Sequence, residues 1–293
     1  MDFDLDAAWA FMAGHARTLD RRRLERLLGE ADGAALLGAV EAYRNPDGGY
    51  GWGLEPDLRS VTSQPGGALH AFEAFAEAGP ATSPRAAELC DWLASVTLPG
   101  GGLPFALPID DPAASAPFWA HADHGASSLQ ITAAVTAAAH RTAAHDPAVA
   151  AHPWLARATE HCLGAIAAID ETPHALVLRF AFDLLGALDD EHAGVVARLG
   201  EHIPERGIVH VAGGLEDEVM RPLDFAPLPG HPARALFAGD VIAAELERLA
   251  AGQREDGGWA VDFTSYSPQA ALDWRGHATV QALTILLAEE RAG

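Results

Sequence analysis

The segment Trp52-Gly53-Leu54-Glu55-Pro56-Asp57-Leu58-Arg59 places two carboxylates, a guanidinium and an indole close together in the chain. Glu55 and Asp57 have the chemistry of a general acid/base pair acting on a sugar, or of loop caps paired with Arg59. A second cluster, Trp119-Ala120-His121-Ala122-Asp123-His124, sets one carboxylate between two imidazoles. A carboxylic acid protonates a weak base only where its surroundings tune it, for example a hydrogen-bonding His and exclusion of water. Histidines also recur where helices are expected to begin: His124-Gly125, Pro173-His174, His231-Pro232 and Gly276-His277. The positive end of a helix dipole favours the neutral imidazole there, which suits a base, a ligand or a hydrogen-bond partner. The alternative is that some of the 14 His simply serve as polar caps.

Further acids fall in loop-like stretches: Glu216, Asp217, Glu218, Asp224, Asp262 and Asp273. Their number leaves room for Mg²⁺ or Ca²⁺, but none has the spacing of a metal motif, so no metal ligand is assigned. Pro108-Ile109-Asp110-Asp111-Pro112 reads as a turn. Gly-x-Gly-x-x-Gly and Gly-x-Ser-x-Gly are both missing. Cys90 and Cys162 lie far apart in unlike contexts, with no disulfide framework, and Cys162 reads as buried packing.

The elements that must position these residues are helical. Segments 34–43, 68–78, 127–139, 154–169, 175–188, 240–251 and 278–290 are rich in Ala and Leu, with apolar residues at three- and four-residue spacing. Sustained period-two runs of Val, Ile and Thr are missing, which predicts few and short strands. Four long loops rich in Gly, Pro and aromatics, near 45–64, 98–124, 204–231 and 252–275, separate the helices. These loops repeat. Asn45-Pro46-Asp47-Gly48-Gly49-Tyr50 and Gln253-Arg254-Glu255-Asp256-Gly257-Gly258-Trp259 are strong copies, Leu98 to Phe105 is a weaker one, and Ala212-Gly213-Gly214-Leu215 is degenerate. In the strong copies an acid precedes a Gly pair that can end a helix, and the following aromatic can pack back between helices.

Gln253 to Trp259 resembles the Gln-x-x-(Asp/Glu)-Gly-Gly-Trp repeat of terpenoid cyclases and protein prenyltransferase subunits, and Asn45 to Tyr50 matches it less fully. The resemblance implies an all-α fold, an α/α toroid of about five to six helical hairpins spanning 1–293 as one domain, with the helices of 1–32 closing the ring. In that architecture the loop before each inner helix opens onto a central cavity, so His124, His174, His231 and His277 would converge on one rim. His121-Ala122-Asp123-His124 fits the spacing of the Asp-x-Asp-Asp acid motif of cyclases, with His in place of both outer carboxylates. The implied activity is acid-initiated carbocationic cyclisation of an apolar prenyl or polyprenyl chain. Asp123 would be the acid and His124 its orienting partner. Trp52, Trp119, Trp259 and Phe105 would stabilise cations through their π faces. Glu55, Asp57, Arg59, His121, His174, His231 and His277 would complete the lining. The Asp-Asp-x-x-Asp run that binds Mg²⁺ in diphosphate-ionising cyclases is missing, as is a match to the prenyltransferase zinc site. A carbohydrate-active toroid using Glu55 with Asp57 or Asp123 is the first alternative. A non-catalytic binding module is the second. An apolar enclosed chamber would point to the cyclase, a polar trough to the sugar enzyme, and no chamber to the module.

Charge narrows the substrate. The chain has 19 basic and 41 acidic residues, a formal charge of −22, and every basic residue is Arg. That excludes Lys Schiff-base chemistry and a Walker-type phosphate loop. It also argues against nucleic acid and anionic membranes as partners. An acidic cavity mouth disfavours a free diphosphate unless Mg²⁺ or an Arg such as Arg59, Arg234 or Arg275 intervenes. With no run of about 18 apolar residues and an acidic start unlike a signal peptide, a soluble cytoplasmic protein without a transmembrane segment is expected.

Overall fold

The computed structural model describes residues 2–188 and 192–292. Among these, the chain is mostly helical with one two-stranded sheet. The helices are α1 (Leu5–His15), α2 (Thr18–Leu28), α3 (Gly33–Val40), α4 (Pro65–Ala78), α5 (Pro84–Val96), α6 (Pro117–Ala120), α7 (Leu129–Ala143), α8 (Pro147–Ala150), α9 (Pro153–Ala167), α10 (Ala175–Ala187), α11 (Ala193–Gly200), α12 (Pro222–Phe225), α13 (Gly239–Ala251) and α14 (Pro268–Ala292). Strands β1 (Val209–His210) and β2 (Val219–Met220) pair antiparallel. The helices start where local chemistry satisfies free N–H groups. Asp4, Asp32, Ser83, Ser128 and Asp146 accept from the first turn, and Pro opens α4, α5, α6, α8, α9 and α12.

Three Gly-rich turns share one geometry. Asn45, Leu98 and Arg254 each donate N–H to the carbonyl four residues on and accept from the N–H three residues on. Gly48, Gly101 and Gly257, which donate back to the Asn45, Leu98 and Arg254 carbonyls, have φ of 93°, 94° and 92°, a region that favours Gly. The next residue but one is buried in each copy: Tyr50, Leu103 and Trp259. In two copies its N–H bonds a Thr hydroxyl on a buried helix further on, Leu103 to Thr132 on α7 and Trp259 to Thr279 on α14. Gly213-Gly214 does not adopt this hydrogen-bond register.

Each of these turns leads from a less buried to a more buried helix: α3 to α4, α5 to α7 and α13 to α14. Helices α2, α4, α7 and α10 pack in succession, α10 contacts α12, α12 contacts α13, and α13 contacts α14, which returns to α2. Two adjoining apolar clusters, one centred on α4 and α7 and one on α7 and α10, fill much of the interior, and a third joins α1, α2 and α14 through Phe11, Trp259 and Leu283. Cys90 and Cys162 are free and fully buried, and burial pushes both thiols up to about 12. No helix among the described residues is long and apolar enough to cross a membrane.

Several expected helix starts move. α14 begins at Pro268, not near Gly276, so His277 lies well inside the helix. Gly276 is tolerated mid-helix because α2 presses there: a Cβ on it would stand 3.0 Å from Asp20 Oδ2. Ser128 caps α7, which leaves His124 in the preceding turn. His231 precedes a 3₁₀ turn, Pro232–Leu236. Of the four histidines expected at helix starts, only His174 caps a regular α-helix, α10.

Candidate functional site

A column of buried charge runs between α2, α4 and α14 and is closed by the 52–59 loop. The loop folds back through two successive left-handed residues, Trp52 (φ 57°) and Gly53 (φ 69°). It lies tight on the start of α4, where a Cβ on Gly66 would meet Glu55 Cγ at 3.3 Å and a Cβ on Gly67 would meet Tyr50 O at 2.3 Å. Two glycines at the head of α4 therefore bring Glu55 against His70.

His70 stands between two carboxylates. Its Nε2 is 3.0 Å from Glu55 Oε2 and its Nδ1 is 2.8 Å from Glu73 Oε2. Burial alone would lower the proton affinity of this imidazole, but the Glu73 charge and both hydrogen bonds outweigh it and raise the pKa to about 9. His70 is thus an imidazolium donating to both acids. Burial pushes the Glu73 carboxyl up, yet the His70 charge and hydrogen bond, with Arg23 behind them, hold it well below the usual carboxylate range.

His277 faces His70 from α14. Burial, reinforced by the Arg23 charge, drives its pKa well below the ordinary value, so it is neutral. Arg23 Nη1 donates to His277 Nδ1 at 2.8 Å, which places the imidazole proton on Nε2. The rest of the Arg23 fork grips Glu77 at 2.8 and 2.6 Å. Asp20 pairs with Arg17 at 2.8 Å and lies 3.6 Å from Arg23.

Asp57 and Asp273 tie the loop to α14. Asp57 accepts from Trp274 Nε1 at 2.6 Å and from the Tyr266 N–H at 3.1 Å, and its own N–H donates to Glu55 Oε1. Burial raises the Asp57 pKa and the neighbouring Glu55 adds to it, against the lowering effect of the two donors and Arg59. Arg59 Nη1 reaches Asp273 at 2.8 Å. Trp274 fills the space between Asp57 and the histidines, edge-on to both rings at 6.0 Å from His70 and 5.6 Å from His277.

His70, Glu73 and His277 offer ligand atoms within 4.8 Å of one another, the only such group of three among the described residues. Their present protonation opposes a metal. Both His70 nitrogens carry protons committed to carboxylates, and the His277 lone pair already takes the Arg23 N–H. A hard cation such as Mg²⁺ also prefers an all-oxygen set.

The residues singled out in sequence divide. Glu55, Asp57, Arg59 and His277 come together in the column. The other three helix-start histidines are tied to separate local partners: His124 bonds Ala106 O, His174 bonds Ala212 O and caps Leu176, and His231 caps Ala233. Asp123 is in a turn, accepting from the Gly125 N–H, where that residue is exposed. His121 is exposed as well. The tryptophans also part. Trp52 is 54% exposed and bonds Asn45, Trp259 is buried against α13 through Leu249 O, and Trp119 stacks on Phe105 at 4.2 Å.

Sequence reasoning missed Arg17, Asp20, Arg23, His70, Glu73, Glu77 and Trp274. One signal was present. Asp20/Arg23, His70/Glu73/Glu77 and Asp273/His277 are ionisable residues at three- and four-residue spacing among apolar ones. No protein-family model and no curated protein matches the chain.

Proposed function

We propose that the chain is a carbohydrate-active α/α toroid that cleaves a glycosidic bond in a polar interior site. The observation that carries this reading is the divergence of two acids in one cluster: Asp57 is pushed toward its protonated form while Glu73 is held ionised. Two carboxyls with opposed tuning divide into a proton donor and a charge stabiliser. Asp57 would protonate the departing glycosidic oxygen as the bond to the anomeric carbon breaks. Glu73 would stabilise the positive charge that develops there. A water oxygen would then bond to that carbon and return a proton to Asp57. The neutral His277, with its Nε2–H, would donate to a sugar hydroxyl. Asp57 is 3% exposed, so substrate entry requires the 52–59 loop and the Tyr266 segment bonded to it to swing outward together.

The toroid is supported by the step from a less buried to a more buried helix across the three Gly-rich turns and by the path of contacts from α2 through α4, α7, α10, α12, α13 and α14 back to α2. A hollow inside it is supported by Arg141 on α7. It pairs with Asp183 on α10 and keeps 38% of its side chain reachable by water, yet feels desolvation and the charges of Glu73 and Glu77 on α4. Such a hollow is lined by charge. A prenyl carbocation gains nothing from Arg17, Arg23 and an imidazolium, and the aromatics offered for that task lie in different places.

The test is hydrolysis of a panel of neutral and amino oligosaccharides, followed by chromatography of the products, beside incubation with prenyl diphosphates and polyprenes. Release of a shorter sugar, abolished in Asp57→Asn and Glu73→Gln, supports the reading. Cyclised product from any prenyl substrate, or no cleavage of any glycan by folded protein, overturns it.

A further inference from the structure

Above the charged column sits an aromatic surface with no role in the chemistry described so far. Phe118 on α6 is 50% exposed and Tyr266 is 41% exposed, far more than folding requires of rings this large. They meet edge to face at 5.8 Å. Phe118 also leans on Trp119 at 5.6 Å, and Trp119 is stacked on Phe105. Trp119 is 6% exposed, and its indole N–H is buried with no hydrogen-bond partner. A buried donor left unpaired is costly in a finished core and useful beside a ligand that brings an acceptor.

Both rings are fastened to the loop that carries the acid. The Tyr266 N–H bonds Asp57 Oδ1 at 3.1 Å, and the Ala116 N–H, next to the start of α6, bonds Asp57 O at 2.8 Å. Arg59 N–H bonds Ser115 Oγ at 3.0 Å from the same side. The aromatic pair and Asp57 therefore form one connected unit. A second aromatic position, Trp274, lies on the inner side of Asp57, against the histidines.

We propose that Phe118 and Tyr266 form an outer sugar-binding subsite, so that the substrate is an oligosaccharide spanning Asp57 and not a single sugar. This rests on the carbohydrate reading of the same site. Two aromatic positions on opposite sides of one proton donor suit a chain with one unit on each side of the bond to be broken. Pyranose C–H faces stack on aromatic rings while their hydroxyls reach the surrounding acceptors. The acidity of the chain, −22 overall, favours neutral or amino sugars over uronates or sugar phosphates.

The test is isothermal titration of the full chain with malto-, cello- and glucosamine oligomers of one to five units. The same series is then run on Phe118→Ala/Tyr266→Ala and on the aromatic-preserving Phe118→Tyr/Tyr266→Phe. In at least one series Kd should fall about tenfold or more from the monomer to the trimer, a stacking-sized gain. That length dependence should vanish in the Ala variant and persist in the aromatic one, with circular dichroism confirming that each variant folds. Kd independent of length, length dependence untouched in the Ala variant, or no binding by any series overturns the proposal. Cleavage is read separately on the same oligomers. Length-dependent binding without cleavage removes the glycosidase reading and leaves the subsite, whereas cleavage without length dependence removes the subsite alone.

Discussion

His70 and His277 meet edge to face with ring centroids 5.3 Å apart, yet one is an imidazolium and the other a neutral imidazole. Their partners explain the difference. His70 donates to two carboxylates, whereas His277 faces a guanidinium. A second positive charge at His277 would stand against both Arg23 and His70, so the pair carries a single positive charge over the pH range between their two affinities.

His70 should make stability fall on the alkaline side. Its folded pKa of about 9 lies above the ordinary value of 6.5, so its contribution is fully present below pH 6.5 and lost as pH rises to about 9. The loss is on the order of 3 kcal/mol. Urea unfolding at pH 6, 7.5 and 9 should show this decline in the native chain. In His70→Gln stability should be lower at pH 6 and nearly flat across the same range. A decline as steep in His70→Gln would assign the slope to other groups.

His277 should act on the opposite side. Its folded pKa is depressed, so the unfolded chain takes up the proton first and stability falls as pH drops below 6.5. His231, also depressed mainly by burial, adds to the same window. His277→Gln should therefore reduce, but not erase, the loss between pH 6.5 and 5, and the double variant with His231→Gln should reduce it further. Thermal melts at pH 5, 6 and 7 provide the measurement.

The helices and the Gly-rich turns were legible in the sequence because both are local. Ala/Leu periodicity, Pro at helix starts and Gly pairs after an acid act within a few residues. Asn45, Leu98 and Arg254 accordingly share one turn geometry. The column was only half legible. Glu55, Asp57 and Arg59 lie together along the chain and advertise themselves, but His70 and Arg23 acquire meaning only when α2, α4 and α14 are brought side by side. Gly276-His277 reads as a helix start along the chain, whereas Gly276 serves the approach of α2 and the helix runs through it. Asp123 stood out by spacing alone, and its carboxylate closes a local turn.

Two glycines in equivalent turns should differ in cost. Gly48 and Gly257 have nearly the same φ, so Ala at either incurs the left-handed penalty of about 1–2 kcal/mol. Around Gly48 the nearest atom to an added Cβ is Glu88 O at 3.4 Å, an ordinary contact. At Gly257 it is Ala7 O at 2.0 Å, which belongs to the backbone of α1. Gly257→Ala should be the more destabilising by at least about 2 kcal/mol and should expose α1 to proteolysis. Equal unfolding midpoints for the two variants would show that α1 yields freely.

Replacing the carboxyl by an amide at Asp57 and at Asp123 should separate the two acids. Asp123 closes an exposed turn through the Gly125 N–H, a bond that the Asn oxygen can also accept, so Asp123→Asn should shift stability by less than about 0.5 kcal/mol. Asp57 receives Trp274 Nε1 on one oxygen and the Tyr266 N–H on the other. An Asn side chain has one oxygen, so its amide group must confront one of those donors, which leaves a buried N–H without an acceptor. Asp57→Asn should therefore cost about 1–3 kcal/mol, and it should redden and weaken the emission of Trp274 as the indole loses its partner. Trp274→Phe, which removes that donor, should recover part of the loss in the double variant, because the coupling acts through one hydrogen bond. Additive losses in the Asp57/Trp274 cycle would mean that the 2.6 Å contact carries no net energy, and the tie between the acid and the wall of the histidine pair would fall with it.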